Sequence, residues 1–375
     1  MRVVAIHHNL VGQRLAMPVH GDGGRLMLAK GVRLNASLIA ALKRHGFTRV
    51  AVDDPLLDDV EPDFAIQEET RQHAVRVLEN ATGRILSGAQ TDLRAVKQAV
   101  DLIIADLRAN PRASIGLYSL SSFDQETYHH SLNVCILSIS IGQELGWSLS
   151  DLRLLGTGAL LHDIGKLLIP KQIINKPGKL TPEEYGLIKT HTTKGWDLLS
   201  KCYDIGAVAA HAALDHHERL DGSGYPRQVM GNQISDIGRI TAVTDVYEAM
   251  TSDRPQRKAI LPDIVQSYLR QESSVTFDAQ AVDALFKKVA LYPAGTIVSL
   301  WGGFIAVVTK QDPRSNARPY VRIVSGPGIR RATDIALYEK PELTINAILD
   351  DYPTGAGRLY VETPEQTAAR GFQDL

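Results

Sequence analysis

Apolar residues recur at spacings of three and four over most of the chain, the pattern of amphipathic helices. Between residues 65 and 110 the pattern predicts two helices, the second over about residues 92–107. It stays helical from residue 111 to about residue 290, the region that holds most of the polar residues of chemical interest. The central part of the chain is therefore predicted to be a helical domain preceded by connecting helices.

The first 64 residues follow a mixed pattern and predict a small α/β domain. One helix is predicted over residues 36–45, with Asn35 as its N-cap and Gly46 as its stop. An acidic, turn-rich stretch at residues 53–63 is interpreted as a linker. Short alternating runs predict three strands, at residues 2–6, 15–19 and 49–52.

The pattern changes again after residue 291 and predicts a small β-rich unit. The runs "GTIVSL" and "FIAVV" are joined by Trp301, Gly302 and Gly303, which is typical of a hairpin. A third strand is expected at residues 320–324, and the last 35 or so residues are expected to be partly disordered. The predicted fold class is mainly α, and its four predicted segments are 1–64, 65–110, 111–290 and 291–375.

Composition narrows the classes of partner. Lys and Arg total 41 and Asp and Glu total 42, which gives a net charge of −1 and no general attraction to nucleic acid or to an anionic membrane. The sequence has no run of 18 apolar residues and no signal-peptide pattern, so a cytoplasmic location without a membrane partner is expected. Cys135 and Cys202 are expected to be free thiols.

Histidines are concentrated in the helical domain, with seven of the twelve between residues 129 and 217. His162 and Asp163 follow an apolar run, where a carboxylate needs compensation, and a metal ion would provide it. Imidazole and carboxylate ligands suit iron, manganese, nickel or zinc, and Asp163 is placed to join two ions. Such centres activate hydroxide for attack on phosphate esters, so a metal-dependent phosphodiesterase is predicted. The candidate ligands are Glu126, His130, His162, Asp163, His191, His216, His217 and Asp245.

Two features beside these ligands indicate a substrate pocket. Lys166 follows His162 by four residues, where its charge could meet a phosphate. The glycines and the proline between Asp221 and Pro226 predict an ordered loop next to His216 and His217.

At these residues the chain resembles the HD-GYP family of the HD phosphohydrolase superfamily. The matching segments are "YHHSLNV", "LLHDIGKLLIP", "INKPGKLTPEEYGLIKTH", "HHERLDGSGYP" and "GRITAVTDVYEAMTSDRP", spread over about residues 120–290. The resemblance implies an all-helical HD-type catalytic domain over residues 111–290. It also implies hydrolysis of cyclic di-GMP to linear pGpG and on to GMP, by attack of a metal-bridging hydroxide. Residues 1–64 resemble, more loosely, a small accessory domain often found before HD-GYP domains.

The resemblance also implies roles for particular residues. The family's metal positions fall on the seven candidates from His130 to Asp245, with Asp163 and Lys166 as the catalytic pair. Glu126 matches an additional glutamate of some members that is associated with a third metal, so three ions are favoured over two, and iron over manganese. Gln256 stands where the family usually has Tyr, which puts a stacking contact in doubt. The implied substrate-binding residues are Lys166, Gly224, Tyr225, Pro226, Arg254 and Arg257.

Alternatives remain open at the level of the sequence. One is a module that binds a cyclic dinucleotide and docks signalling proteins with little catalysis, and another is an enzyme that hydrolyses a different cyclic dinucleotide. The helices of residues 65–110 could carry a signal, form a homodimer interface, or simply pack on the next domain.

Overall fold

The computed structural model describes residues 1–21, 25–45, 47, 49–60, 65–86, 93–110, 126–174, 176, 178–202, 206–252, 260–349 and 351–352. The fold is mainly α, as predicted, with a small α/β unit at the start and a five-stranded sheet at the end. The helices are α1 Ala36–Arg44, α2 Glu68–Leu86, α3 Arg94–Ala109, α4 Glu126–Glu144, α5 Leu149–Leu161, α6 Lys171–Ile174, α7 Pro182–Lys189, α8 His191–Leu199, α9 Ala207–Asp215, α10 Asp236–Thr251, α11 Pro262–Gln271 and α12 Ala279–Lys288. The strands are β1 Arg2–Ala5, β2 Val19–His20, β3 Leu26–Leu28, β4 Arg49–Val52, β5 Ile297–Leu300, β6 Phe304–Asp312, β7 Ser315–Ser325, β8 Thr333–Ala336 and β9 Ile345–Ile348.

In the N-terminal unit, β1 pairs antiparallel with β4, and β2 pairs with β3. Helix α1 begins as predicted, because the Asn35 side chain accepts a hydrogen bond from the Leu38 amide at 2.8 Å. The predicted strand over residues 15–19 is wrong. Leu15 makes only an isolated bridge to Val52, and Pro18, which lacks an amide hydrogen, cannot continue a ladder.

The acidic stretch after β4 is not a free linker, so that prediction is wrong for residues 53–60. Pro55–Leu57 form a 3₁₀ turn capped by Asp54, whose carboxylate accepts from the Leu56 amide. Leu57 is buried in the core of the N-terminal unit, and this apolar contact outweighs the acidic character of its neighbours. Residues 61–63 lie outside the part of the chain that the structure describes.

The two connecting helices, α2 and α3, share one apolar core with the helices that follow. Val96, Val100 and Ile103 of α3 are fully buried. A Cβ placed on Gly156 of α5 would lie 2.7 Å from Val100 Cγ1, so α3 and α5 pack closely. Of the open readings, packing on the next domain is the one seen, while a homodimer through residues 65–110 stays a prediction.

The C-terminal sheet has the strand order β8-β7-β6-β5-β9, with every pair antiparallel. The predicted hairpin at residues 301–303 is confirmed, and Gly302 and Gly303 take the positive φ angles that its turn needs. The predicted disorder near the end of the chain is wrong for Ile345–Ile348, because this segment pairs with β5 as the edge strand β9.

Both faces of this sheet are buried, since alternate residues of a strand point to opposite sides. Ile297, Val307 and Val324 pack into the core of the N-terminal unit. Val298, Ala306, Val308 and their same-face neighbours pack into the core of the helices. The sheet therefore lies between the N-terminal unit and the helical domain.

Candidate metal centre

The predicted ligands come from five segments of the helical domain. His130 lies on α4 and Asp245 on α10, while His191 is the first residue of α8. His162 and Asp163 directly follow α5, and His216 and His217 follow α9. Because helix ends meet helix faces at this point, side chains that lie far apart in sequence converge.

Close approach of the backbone at Gly165 makes this convergence possible. Asp163 directly precedes a 3₁₀ helix over Ile164–Leu168, which turns the chain across the start of α8. A Cβ on Gly165 would lie 1.9 Å from the carbonyl oxygen of His191 and 2.6 Å from the amide nitrogen of Gly195. Only glycine permits this approach, which brings Asp163 next to His191.

Asp163 lies at the centre of the cluster, 3% exposed. Its Oδ1 atom lies 3.4 Å from Nε2 of His191 and 3.7 Å from Nε2 of His216. Its Oδ2 atom lies 3.4 Å from Nε2 of His162 and 3.6 Å from Nε2 of His130. The two oxygens of one carboxylate thus face two different pairs of imidazoles.

Among the residues that the structure describes, three sets of ligand atoms are close enough together to hold an ion. They are His191, His216 and His217; His130, His162 and Asp245; and His162, Asp163 and His216, with the ligand atoms of each set within 4.8 Å of one another.

Backbone carbonyls fix three of the imidazole rings. Nδ1 of His162 donates to the Ala159 carbonyl at 2.7 Å, and Nδ1 of His191 donates to the Ile188 carbonyl at 2.7 Å. Nδ1 of His216 donates to the Ala212 carbonyl at 2.8 Å. Each bond assigns the ring proton to Nδ1 and leaves the Nε2 lone pair facing the centre, as metal-ligating histidines require.

Three atoms at the centre are buried without a hydrogen-bond partner among the described residues: Nε2 of His130, Nε2 of His162 and Oδ1 of Asp163. Buried polar atoms are normally paired, and orphaned ones of this kind cost free energy. All three atoms belong to this cluster, and imidazole nitrogen and carboxylate oxygen are good ligands for a divalent ion. The residues present therefore fit a metal centre.

The protonation states of three histidines and of Asp163 agree with this fit. Burial lowers the pKa of His191 to about 3, and burial likewise lowers the pKa values of His216 and His217. Burial raises the pKa of Asp163, but Lys166 and the surrounding imidazoles outweigh it and hold that pKa well below its usual range. Neutral imidazoles around an ionised carboxylate are the ligand forms that bind metal.

Asp245 and His130 form the other side of the cluster. Oδ1 of Asp245 lies 3.1 Å from Nε2 of His130 and 4.0 Å from Nε2 of His162. Burial opposes the ionisation of Asp245, yet the neighbouring His130 holds its pKa well below normal. Burial also lowers the pKa of His130, but Glu248 and Asp245 outweigh it and raise that pKa to about 9.

Lys166 lies at the edge of the centre. Its Nζ donates to Oδ2 of Asp163 at 2.5 Å, and 27% of its side chain is exposed. The turn after α5 is a 3₁₀ helix and not an α-helix. In a 3₁₀ helix, residues three apart lie on the same side, which brings Lys166 next to Asp163. Its charge is held beside the buried ligands and stays reachable from solvent.

The Gly-Tyr-Pro loop folds back on the turn that carries His216 and His217. The Tyr225 amide donates to the His217 carbonyl at 3.1 Å, and the Tyr225 ring stacks on the His217 ring with centroids 4.6 Å apart. A Cβ on Gly224 would lie 2.4 Å from the Cα of Glu218, so this fold needs glycine. Pro226 follows in the same loop, and the loop therefore lines the side of the centre next to His217.

Three predicted site residues cannot be placed. Glu126 is the first residue of α4, but its side chain lies outside the described residues. Arg254 and Arg257 also fall outside them, as does Gln256.

The sequence analysis missed Glu248, which lies on α10 one turn after Asp245. Its Oε2 lies 2.5 Å from Nδ1 of His130, and its Oε1 accepts from Asn133 Nδ2 at 3.2 Å. It is a carboxylate behind a histidine ligand, an arrangement that orients the ring and raises its basicity. The spacing of three from Asp245 on an apolar helix was the available signal.

A second missed carboxylate is Glu218, which is 1% exposed. Its Oε1 accepts from the Arg227 amide at 2.7 Å, while Oε2 has no partner within the described part of the chain. His211 and Asp215 contact each other at 3.2 Å, and Asp215 also accepts from Arg227. These contacts hold the loop against α9.

Comparison with known proteins supports the resemblance for the central part of the chain. A family model described as an HD domain matches residues 118–281. The chain carries an HD domain. Together with the complete Gly-Tyr-Pro segment and the relatives below, this match confirms the HD-GYP resemblance.

Curated relatives share this HD domain. The cyclic di-GMP phosphodiesterase PA4108 of Pseudomonas aeruginosa is 38% identical over 267 residues, which are 69% of this chain and 64% of the relative. The cyclic di-GMP phosphodiesterase response regulator RpfG of Xanthomonas campestris is 41% identical over 148 residues, 39% of each chain. The 3'3'-cGAMP-specific phosphodiesterase 1 of Vibrio cholerae is 38% identical over 169 residues, 45% of this chain and 39% of the relative. The chain therefore spans 64%, 39% and 39% of the lengths of these three relatives.

A solved structure has the same fold. Bd1817, an HDG"Y"P protein from Bdellovibrio bacteriovorus, aligns with a TM-score of 0.50 over 76% of this chain and 98% of its own, at 16% identity. At that identity the likeness supports the fold of the HD domain alone. Among the described residues, no helix has the length and apolar character needed to span a membrane.

Proposed function

We propose that the chain is a metal-dependent phosphodiesterase that hydrolyses cyclic di-GMP to linear pGpG and on to GMP. One observation carries the proposal: the two oxygens of Asp163 face two separate pairs of imidazole Nε2 atoms at 3.4–3.7 Å. A carboxylate placed in this way is suited to join two ions, and paired ions are a common means of cleaving phosphodiesters.

The proposed ligands are His130, His162, Asp163, His191, His216, His217 and Asp245, with Glu126 for a third ion. When bound, such ions withdraw charge from phosphoryl oxygens and make bound water more acidic. Iron is favoured over manganese, and three ions over two, on the strength of the resemblance that Glu126 carries. The rigid Nδ1 bonds of His162, His191 and His216 fix the ligand positions before an ion arrives.

The chain's own residues supply the remaining roles. Lys166 is a fixed positive charge at the edge of the centre, where it can stabilise negative charge that develops on a phosphoryl oxygen. Gly224, Tyr225 and Pro226 form the wall beside His217, and the half-buried Tyr225 ring, which stacks on His217, is proposed to contact a guanine base at its edge. Arg254 and Arg257 are proposed to bind phosphate or guanine, for which the planar guanidinium is suited.

The names of the relatives point to two different cyclic dinucleotides as the substrate. PA4108 and RpfG are named for cyclic di-GMP, and the Vibrio cholerae relative is named for 3'3'-cGAMP at a similar identity. PA4108 matches over the larger share of this chain, which favours cyclic di-GMP.

The test is a time course with purified protein loaded anaerobically with Fe²⁺ or with Mn²⁺. Cyclic di-GMP and 3'3'-cGAMP are supplied in parallel, and the linear dinucleotide and mononucleotide products are separated by chromatography. We expect faster turnover of cyclic di-GMP, with pGpG appearing before GMP. Faster turnover of 3'3'-cGAMP would reassign the substrate and leave the reaction class in place.

The control is Asp163→Ala, which removes the shared carboxylate. This variant is expected to lose both turnover and bound metal, because both groups of imidazoles face that side chain. Full activity and metal content in Asp163→Ala would contradict the proposed centre. Binding of cyclic di-GMP without turnover by the wild-type protein would instead favour the binding-module alternative.

A further inference from the structure

A line of polar contacts joins the connecting helix α2 to the metal centre. Arg71 on α2 donates from Nη1 to Oδ1 of Asn133 on α4 at 3.2 Å. Asn133 donates from Nδ2 to Oε1 of Glu248 at 3.2 Å. Glu248 meets Nδ1 of the candidate ligand His130 at 2.5 Å. Each step joins a different helix, so the line crosses from α2 to α4 and from α4 to α10 before it returns to α4.

The charges of Arg71 and Glu248 fix the orientation of the Asn133 amide between them. Asn133 lies between a guanidinium and a carboxylate, so its carbonyl oxygen must face Arg71 and its amide group must face Glu248. Asn133 and Glu248 are each 3% exposed, which strengthens both hydrogen bonds and makes a lost partner costly. A flipped amide would place donor against donor and acceptor against acceptor.

We propose that Arg71 is a positioning residue for the metal centre, which sets the metal affinity of His130 through Asn133 and Glu248. This inference rests on the proposed function, because it takes His130 to be a ligand. Removal of the Arg71 side chain leaves the Asn133 amide without its outer partner, so the amide is no longer fixed in the orientation that donates to Oε1 of Glu248. Glu248 is then held less rigidly against Nδ1 of His130, and the imidazole is less well oriented for a metal ion at its opposite nitrogen.

Arg76 provides a control for Arg71, because the two arginines lie on the same helix but in different surroundings. Arg76 lies on the same helix but is exposed, and the structure shows no contact that would join its side chain to the centre within the described residues. An effect shared by Arg71 and Arg76 would reflect the charge of α2 in general. An effect confined to Arg71 would reflect the contact with Asn133.

The experiment measures the affinity of the metal-free protein for Mn²⁺ alone, by competition with a fluorescent chelator and by the electron paramagnetic resonance signal of bound Mn²⁺. Glu248→Gln is expected to weaken binding roughly 10- to 100-fold. Arg71→Met is expected to weaken it by about 3- to 10-fold, less than the loss of a direct outer partner, because Arg71 acts through two intervening residues, while Arg76→Met leaves it unchanged. Arg71→Lys, which keeps the charge without the planar fork, should lie between Arg71→Met and the wild type.

The double variant Arg71→Met with Glu248→Gln separates positioning from general destabilisation. If Arg71 acts through Glu248, the double variant binds Mn²⁺ no more weakly than Glu248→Gln alone, since coupled residues are not additive. Additive losses, or unchanged affinity in a folded Arg71→Met protein, would overturn the inference. If Arg71→Met does not fold, Arg71→Lys and its double variant with Glu248→Gln make the same comparison.

The two proposals fail in distinguishable ways. A wild-type protein that binds no Mn²⁺ and no Fe²⁺ would overturn the metal centre itself. A wild-type protein that binds Mn²⁺ tightly, with the Arg71 variants equal to it, would overturn only the role of Arg71.

Discussion

At the residue scale, the candidate site combines atoms that the surrounding protein leaves unpaired. His162 and His191 each donate from Nδ1 to a backbone carbonyl within their own turn. The two oxygens of Asp163 contact different imidazoles. These side chains are held in place by local bonds that need no metal. The centre is therefore expected to be largely preformed in the metal-free protein.

The pKa shifts predict how the stability of the metal-free protein depends on pH. Burial lowers the pKa of His191 to about 3, so its contribution is full above the unfolded value of about 6.5 and is lost as the pH falls. The pKa of His130 is raised to about 9, so its contribution is full below about 6.5 and is lost as the pH rises toward 9. We expect the free energy of unfolding, measured in urea after chelation, to be greatest near pH 6.5.

The matched variant is His191→Gln, which cannot titrate in this range. Between pH 6.5 and 5 the metal-free wild type should lose about 1.4 kcal/mol per pH unit for each buried neutral imidazole. His191→Gln should show a smaller slope by about that amount. Equal slopes in the two proteins would mean that His191 is not buried as a neutral ring.

The sequence was informative about those ligands for a chemical reason. Buried histidines and aspartates are rare enough that their concentration in a helical region requires an explanation, and His162 and Asp163 directly follow an apolar run. Glu248 was missed because a glutamate on a helix is ordinary until its burial is known. Burial depends on packing between α4 and α10, which no local pattern records.

At the element scale, the centre depends on one close approach between the 3₁₀ turn after α5 and the start of α8. Most helices were predictable because apolar spacing reports the period of the helix, as in α3, whose apolar side chains face the core. The 3₁₀ turn was not predictable, because the preference for it arises from packing of Gly165 against His191 and Gly195.

Gly165→Ala tests this contact. The added Cβ would lie 1.9 Å from a backbone oxygen, so the turn must move and carry Asp163 and Lys166 with it. We expect a destabilisation of about 3 kcal/mol or more, as for other severe backbone clashes, together with a loss of Mn²⁺ affinity. Thermal unfolding and metal titration measure the two effects.

Gly186→Ala on α7 is the control, because a Cβ there meets nothing within 4 Å. Alanine in a helix is favoured over glycine by about 0.5–1 kcal/mol, so this variant should be slightly stabilised and bind metal normally. If Gly165→Ala behaved like Gly186→Ala, the proposed role of the close approach would be wrong.

At the scale of the whole molecule, ion pairs join the N-terminal unit to the C-terminal region of the described chain. Arg322 of β7 is 5% exposed and donates to Asp59 of the N-terminal unit at 2.7 and 2.8 Å, and it also pairs with Asp334 of β8. Arg2 pairs with Asp54 and with Asp351. Contacts that join residues more than 250 positions apart leave no periodic trace in a sequence, so the strands were predicted but their partners were not.

Arg322→Met is expected to loosen the N-terminal unit and leave the metal centre intact. Breaking a fully buried ion pair costs about 3–5 kcal/mol, and half-exposed carboxylate partners reduce this to about 2 kcal/mol. Limited proteolysis should then cleave within residues 53–64 faster than in the wild type, while Mn²⁺ affinity stays the same.

Arg314→Met provides the comparison, because within the described part of the chain Arg314 pairs with Asp312 and Glu339, both inside the C-terminal unit. It should leave the rate of cleavage near residues 53–64 unchanged. Equal protection of the N-terminal unit in Arg322→Met and in the wild type would show that apolar contacts alone hold this unit against the C-terminal sheet.

The placement of the sheet has a consequence for synthesis on the ribosome. Leu57 and the rest of the N-terminal core are completed by Ile297, Val307 and Val324, which are made about 240 residues later. At about 5–20 residues per second, that interval lasts roughly 10–50 s. During this time the helices between can fold on contacts of their own, while the apolar core around Leu57 stays incomplete. The N-terminal unit is therefore the part of the nascent chain to which a chaperone has the longest access.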